Sequence, residues 1–419
     1  MKWLAYIICY CIYPFSFFFK RNENKWAFGS FRGAFNDNTK YLFIYACKHN
    51  HGQHIKWLSI SRKTVKQIRS LNLPAEWVFS PKGIWFALTS MYWFVNSYTS
   101  DILFCLSGNA TVINLWHGVG LKRCEFNITS GSLSKRYIDR DFKEVFTHPE
   151  CFRRPNYLVS STDFQSQMFA KAFRLDISQC LNLGYPRNQI LLQPKAVVRS
   201  FLNHYEPQET VALLDEIQTF DKVYIYMPTW RDSQKEVFLE YFDLEQLETV
   251  LAKQNALLLL KPHANTIVNN IPQSEHIRFV PGKVDVYGIL PFTDVLITDY
   301  SSILYDYILM DGKDVILYLY DYEDYVKERD FYYPFDENVC GKRAYDFETL
   351  LSLLKTKNYE LEKAARQYIV EKFWGESMKT DVCGNIIKTF TTPIKNWNAK
   401  DGYITRIIHT QERSYRRLC

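Results

Sequence analysis

The chain repeatedly sets a short apolar run against a polar tip and then changes to helical spacing. KWAFGSFRGAFNDNTKYLFIYACKH reads as a strand, a loop built on Gly29, Gly33 and Asn36-Asp37-Asn38, and a helix. HIKWLSIS alternates as a strand does, and TVKQIRSL follows with helical spacing. DILFCL and TVINLWHG add short apolar runs, YLVSSTDFQSQMFAKAF repeats strand, tip and helix, and LNLGYPRNQILL closes this half. Between them GIWFALTSMYWFVNSY is a helix-length stretch of large apolar residues, expected in the core, with a membrane-facing patch as the alternative.

A second series follows a polar, acidic helix at 206–220. DKVYIYMPTWRD, NALLLLKPHANT, HIRFVPG, DVLITDYSS and DVILYLYD read as five strands separated by helical patterns. Such alternation predicts an α/β protein with two Rossmann-like parallel-sheet domains facing a cleft. Ligands of these sheets gather at the carboxyl ends of the strands, where the notable polar residues fall. The expected division is 22–205 for the first domain and 206–395 for the second. A basic tail, 396–419, follows them.

The first 21 residues form a separate segment. Trp3 to Phe19 is a 17-residue apolar run flanked by Lys2 and by Lys20-Arg21, and interrupted by Pro14. It is at the short limit for a spanning helix, and its Trp and Tyr suit a membrane interface. No cleavage site for a removable signal follows. Membrane-associated, peripheral or monotopic on the cytoplasmic face, is the expectation.

A net charge of +6 over 419 residues fits an anionic small substrate or a membrane surface. It lacks the dense basic stripe of a nucleic-acid binder, so no nucleic acid is expected. Ten cysteines without a CxxC pair argue against structural zinc and for a reducing compartment, in which the sequons at Asn109 and Asn127 carry no meaning.

Four strand tips carry candidate chemistry. In NLWHGVGLKR, His117 is a candidate general base, Gly118 allows close backbone approach, and Lys122-Arg123 add charge; a histidine bonded to a backbone carbonyl is the plain alternative. In MPTWRD, Thr229 closes the strand and Arg231 can fork onto phosphate, or simply pair with Asp232. In LLLLKPHANT, Lys261 and His263 are two apart and point to one side in extended geometry. In TDYSS, Thr298 and Asp299 end a strand and Ser301-Ser302 start a helix, as a bland cap or as a phosphate cradle. No GxxxxGK[ST] and no GxGxxG occurs. Three further strand tips with Arg, Lys and His favour the cradle.

Taken in order, WHGVGLKR, GYPRN, PTWRD, KPHAN, TDYSSILYDY and DYEDYVKERDFYYPF followed by CGK resemble the CDP-glycerol glycerophosphotransferases. That family includes teichoic-acid primases and polymerases and related capsule-polymer enzymes. The resemblance runs from about residue 110 to 343. It implies a GT-B fold, with 22–205 on the acceptor side and 206–395 binding the donor, and transfer of glycerol phosphate from CDP-glycerol to a hydroxyl of a lipid-linked or polymeric acceptor, releasing CMP. No metal or other cofactor is expected, since no acidic cluster with metal spacing appears and cationic side chains can take its place. The resemblance implies His117 as general base and His263 beside the diphosphate. Ser301 and Ser302 would hold phosphates with the helix amides, Arg231 and Lys261 would add charge, and Gly118, Thr229 and Thr298 would line the substrate site. Arg187 of GYPRN and Asp299 match motif positions.

Two departures stand out: Lys261-Pro262-His263 where Arg-Met-His is frequent, and WHGVG where WHGTP is common. Rival readings are the same fold with CDP-ribitol, a glycosyltransferase using a nucleotide sugar, and a non-enzymatic membrane scaffold.

Overall fold

The computed structural model describes residues 2–49, 52–131, 133–229, 241–262, 274–282, 284–328 and 330–391. Arg231, His263 and the tail 396–419 lie outside the described residues. Two parallel sheets organise the chain. The first contains β1 (Asn22–Phe28), β2 (His54–Ser59), β3 (Ala75–Trp77), β4 (Ser90–Val95), β5 (Thr111–Asn114), β6 (Tyr157–Ser160) and β7 (Cys180–Asn182), in the order β3-β2-β1-β4-β5-β6-β7. The second contains β8 (Lys222–Met227), β9 (Ala256–Leu260), β10 (Ile277–Phe279), β11 (Val295–Thr298), β12 (Asp314–Tyr318) and β13 (Lys342–Ala344), ordered β10-β9-β8-β11-β12-β13. Each is doubly wound, with strand order reversing at β1/β4 in one lobe and β8/β11 in the other. The crevice above such a reversal is where these sheets bind ligands.

The central strands are apolar on both faces because helices cover both. Ala256–Leu260 is buried throughout, and each leucine there contributes roughly 2 kcal/mol by removal from water. The 83–98 stretch is not one helix. It divides into α4 (Pro81–Thr89) and, without a loop, the central strand β4. Ser80 caps α4 through the Gly83 amide, and Ser90 then takes up extended backbone. A segment apolar on all sides satisfies either element, so its periodicity could not locate the change. DILFCL likewise forms short 3-10 turns at Thr99–Asp101 and Phe104–Leu106 rather than a strand.

Two helices, α8 (Lys195–Tyr205) and α9 (Gln208–Ile217), carry the chain between the lobes. The last described helix, α15 (Val382–Thr391), returns to the first lobe. There Phe390 packs on Tyr92, Phe94 and Tyr157, and Tyr45 donates to Asp381 at 2.6 Å. A buried ion cluster also spans the lobes. Lys40, on α2 (Asp37–Lys48), pairs with Glu206 at the end of α8 and with Asp285 of the second lobe at 2.8 Å.

At the amino terminus, α1 (Lys2–Phe15) lies against the first lobe. Tyr13 stacks on Phe104, Trp3 on Phe146, and the Tyr10 hydroxyl reaches the Phe146 carbonyl. Its other face leaves Leu4, Ile7, Ile8 and Phe15 exposed, continuing into Phe18. Arg21 is no surface flank: it is buried, and its guanidinium donates to the carbonyls of Ala87, Ser90, Leu106 and Gly108. Burial lowers its pKa to about 10.

Candidate active site

His117 follows β5 on a backbone that only a well-braced turn would hold. Trp116 sits at φ +51°, a left-handed conformation that bulky residues rarely adopt. Its amide donates to Asn114 Oδ1 at 2.8 Å, and its carbonyl accepts from Asn38 Nδ2 at 2.8 Å. The Trp116 ring is buried against Phe173 and lies 3.9 Å from the His117 imidazole. His117 itself meets solvent, although protein surrounds it at longer range. That burial lowers its pKa to about 4; Asp37 pulls upward, Arg187 downward, and the Asn96 backbone upward. The imidazole is therefore neutral at physiological pH and free to accept a proton.

Directly after it, Gly118 has φ +113°, and a Cβ there would lie 2.7 Å from Arg187 Nη2. Glycine is required for the guanidinium to seat. Arg187 follows β7, in the Pro186–Leu192 turn, and is only 7% exposed. It donates to Asp37 at 2.7 Å, to the His117 carbonyl at 2.7 Å and to Asp306 at 2.9 Å. These partners hold it protonated despite burial. The two cations after His117 are also engaged. Arg123 pairs with Asp330 at 2.8 Å, and Lys122 lies over the Tyr325 ring. Backbone bonds from Arg123 to Asp330 and from Tyr332 to Leu121 join this loop to the second lobe.

In the second lobe the reversal between β8 and β11 is braced by Asp299, whose carboxylate accepts from the Thr229 amide at 2.8 and 3.1 Å. Thr298 ties the same two strands through the Met227 carbonyl at 2.7 Å. Both residues are buried, at 0% and 1% exposure, so they hold the strand ends together rather than line an open surface. The serines differ. Ser302 is exposed, makes no side-chain cap bond and has helical backbone angles, while Ser301 is half-buried. The bland cap is thus not what Ser302 does. Nor is the helix dipole large, because α11 (Ile303–Tyr307) has only five residues. Lys261 emerges beyond β9 with Nζ on the Pro281 carbonyl at 2.7 Å. Burial lowers its pKa to about 8, opposed by Asp285, which leaves it cationic at neutral pH.

Asp37, Asn38, Tyr287 and Asp306 escaped the sequence reading. Asn36-Asp37-Asn38 resembles turn chemistry, yet α2 begins at Asp37 and Asn38 is wholly buried. Asp306 stands in TDYSSILYDY, in the helix that follows the serines, and carried no reading of its own.

Two doubly wound parallel sheets in tandem give the chain a GT-B-like fold. The chain belongs to the CDP-glycerol:poly(glycerophosphate) glycerophosphotransferase family, whose model matches residues 11–375. A teichoic acid glycerol-phosphate transferase of Staphylococcus aureus is 28% identical over 83% of this chain and 86% of its own length. A teichoic acid poly(glycerol phosphate) polymerase of Bacillus spizizenii is 27% identical over 82% and 86%. The ribitol-phosphate polymerase TarK of S. aureus is 31% identical, over 60% of this chain and 47% of its own. In fold the chain is similar to the wall teichoic acid polymerase TagF, with a TM-score of 0.68 and 24% identity across 90% of this chain and 91% of that one.

Proposed function

We propose that the chain transfers glycerol phosphate from CDP-glycerol to a hydroxyl of a lipid-linked or polymeric acceptor in teichoic-acid-like or capsular polymer synthesis, releasing CMP. The observation that carries this reading is a neutral His117 whose carbonyl shares Arg187 with Asp306, on the helix that follows Ser301 and Ser302, in a chain of this family. His117 takes the acceptor hydroxyl proton as oxygen attacks the phosphorus nearer glycerol. The bond from that phosphorus to the CMP oxygen breaks, and charge gathers on the equatorial oxygens and on CMP. Positioned donors and cations stabilise such charge with little other chemistry required. Ser301, Ser302 and Lys261 supply hydroxyls and a cation here. Arg231 and His263, by resemblance, add a second cation and a group beside the leaving diphosphate. Thr298, Asp299 and Thr229 support that surface from beneath.

The same reading places the enzyme on a membrane. Among the described residues no helix is long and apolar enough to cross one. At 14 residues α1 spans about 21 Å, against roughly 30 Å of hydrocarbon. Its exposed stripe of Leu4, Ile7, Ile8, Phe15 and Phe18 instead suits shallow insertion beside a lipid-linked acceptor.

The similarity to TarK supports CDP-ribitol as a second donor reading. Nucleotide release by purified protein, with CDP-glycerol, CDP-ribitol and a UDP-sugar offered in parallel to a lipid-linked polyol-phosphate acceptor, tests both. Acceptor-dependent CMP from CDP-glycerol is expected. CMP from CDP-ribitol alone transfers the mechanism to that donor, and UDP from the sugar with no CMP overturns the reaction.

A further inference from the structure

Arg187 is placed where a donor phosphate ligand would be sought, but both of its terminal nitrogens are already bonded within the protein. One Nη2 reaches both the His117 carbonyl and Asp306, Nη1 reaches Asp37, and the guanidinium lies 4.5 Å over the Tyr287 ring. Its Nε is buried and unpaired, with less than 1 Å² of accessible surface to offer a ligand. Asp306 is 1% exposed and equally committed. It accepts Asn188 Nδ2 at 2.8 Å on one oxygen, and Arg187 and the Tyr287 hydroxyl on the other.

The position of this cluster in the fold gives it a further meaning. Asp306 belongs to α11, four residues beyond Ser302, and so moves with the proposed phosphate-binding tip. Arg187, Asn188 and Asp37 belong to the lobe that carries His117. The Arg187 amide also donates to Asn38 Oδ1 at 3.0 Å, and Asn38 clamps the strained Trp116. A single guanidinium therefore connects the donor-lobe helix to the backbone that aims the base. Gly118 is left without a side chain at the point where that guanidinium passes.

We propose that Arg187 and Asp306 act as one positioning unit that holds His117 in register with the donor lobe, and that neither is a donor ligand. This rests on His117 as the base. In-line attack needs hydroxyl, base and phosphorus aligned, and a misplacement of about 1 Å costs on the order of 100-fold in rate.

The test uses the full chain with Arg187→Lys, Asp306→Asn and the double variant. It measures kcat per titrated active site at saturating substrates and the Kd of CDP-glycerol by calorimetry, with wild type and His117→Ala in parallel. A lysine cannot fork to three acceptors, so each single change is expected to lower kcat by roughly 10- to 100-fold with Kd within about twofold. The double variant is expected to be no worse than the more severe single, as for residues acting as a unit. Three results would overturn the proposal: Kd rising more than about tenfold while kcat is kept, kcat unchanged in either single, or fully multiplicative losses in the double. Should these variants not fold, Tyr287→Phe keeps the ring and removes only its bond to Asp306. A several-fold loss of kcat at constant Kd supports the unit, and unchanged kcat overturns it. Turnover retained in His117→Ala would instead remove the base reading itself, a distinct failure.

Discussion

Replacing Phe15 and Phe18 together by serine separates a membrane-docking face from an accidental apolar patch. Phe15 is 65% exposed and Phe18 84%, so neither is part of the packing that holds α1 to the first lobe. That packing comes from Tyr13 on Phe104 and Trp3 on Phe146, with the Ser16 hydroxyl accepting from the Gly108 amide. The two rings leave about one and a half side chains' worth of apolar surface in water; at ~2 kcal/mol per side chain, full immersion in lipid contributes ~3 kcal/mol. Immersion to half that extent contributes ~1.5 kcal/mol, so the partition coefficient onto vesicles is expected to fall between roughly 10- and 150-fold. The assay is sedimentation with large vesicles of a phosphatidylcholine and phosphatidylglycerol mixture, repeated at high salt to remove the electrostatic part. The melting temperature reports whether the lobe is intact and should not move. A loss below about threefold, with native melting, would refute the reasoning, because the stripe would then lie away from lipid.

Three further perturbations probe the interior. Ser302→Ala is expected to raise the Kd of CDP-glycerol by roughly tenfold or more, the worth of a hydrogen bond to a charged group. Melting should be unchanged, since Ser302 caps nothing; loss of stability at constant Kd would return Ser302 to a structural role. For His117, whose pKa lies near 4 by burial, kcat/KM should stay level on acidification past about 6.5, the ordinary histidine value, and break only below about 5. A break at the ordinary value would show that the ring is not held as described. Lys40→Met leaves Glu206 and Asp285 buried beside each other without their cation, a cost of about 3–5 kcal/mol. The loss should shrink as pH falls, because protonation relieves an unpaired carboxylate; burial already raises Glu206 to about 7. Calorimetry at two pH values checks both size and sign.

The lobes were legible because parallel strands covered on both faces leave continuous apolar runs, and LLLL, VLIT and VIN announce themselves. The strand tips were legible for the same reason, since a polar residue that ends such a run must have a purpose. Elements that share one apolar stretch were not legible, as at 83–98, where a helix passes into a strand without polar punctuation. Short edge strands such as Ala75–Trp77 and Lys342–Ala344 were lost too, because three residues carry no period. The harder omission concerns what residues do once buried. Asp299 and Thr298 were read from their place at a strand tip, yet a tip has an inside: their side chains turn to the neighbouring strand, Asp299 to the Thr229 amide and Thr298 to the Met227 carbonyl, while Ser302 turns outward. Arg187 and Asp306 lie 119 residues apart and meet only after both sheets have formed. Sequence spacing locates residues along one strand and its loop, so it can single out His117 and the two serines separately. The Arg187–Asp306 bond that joins their surroundings belongs to the packing of two lobes, and only the folded chain brings it into view.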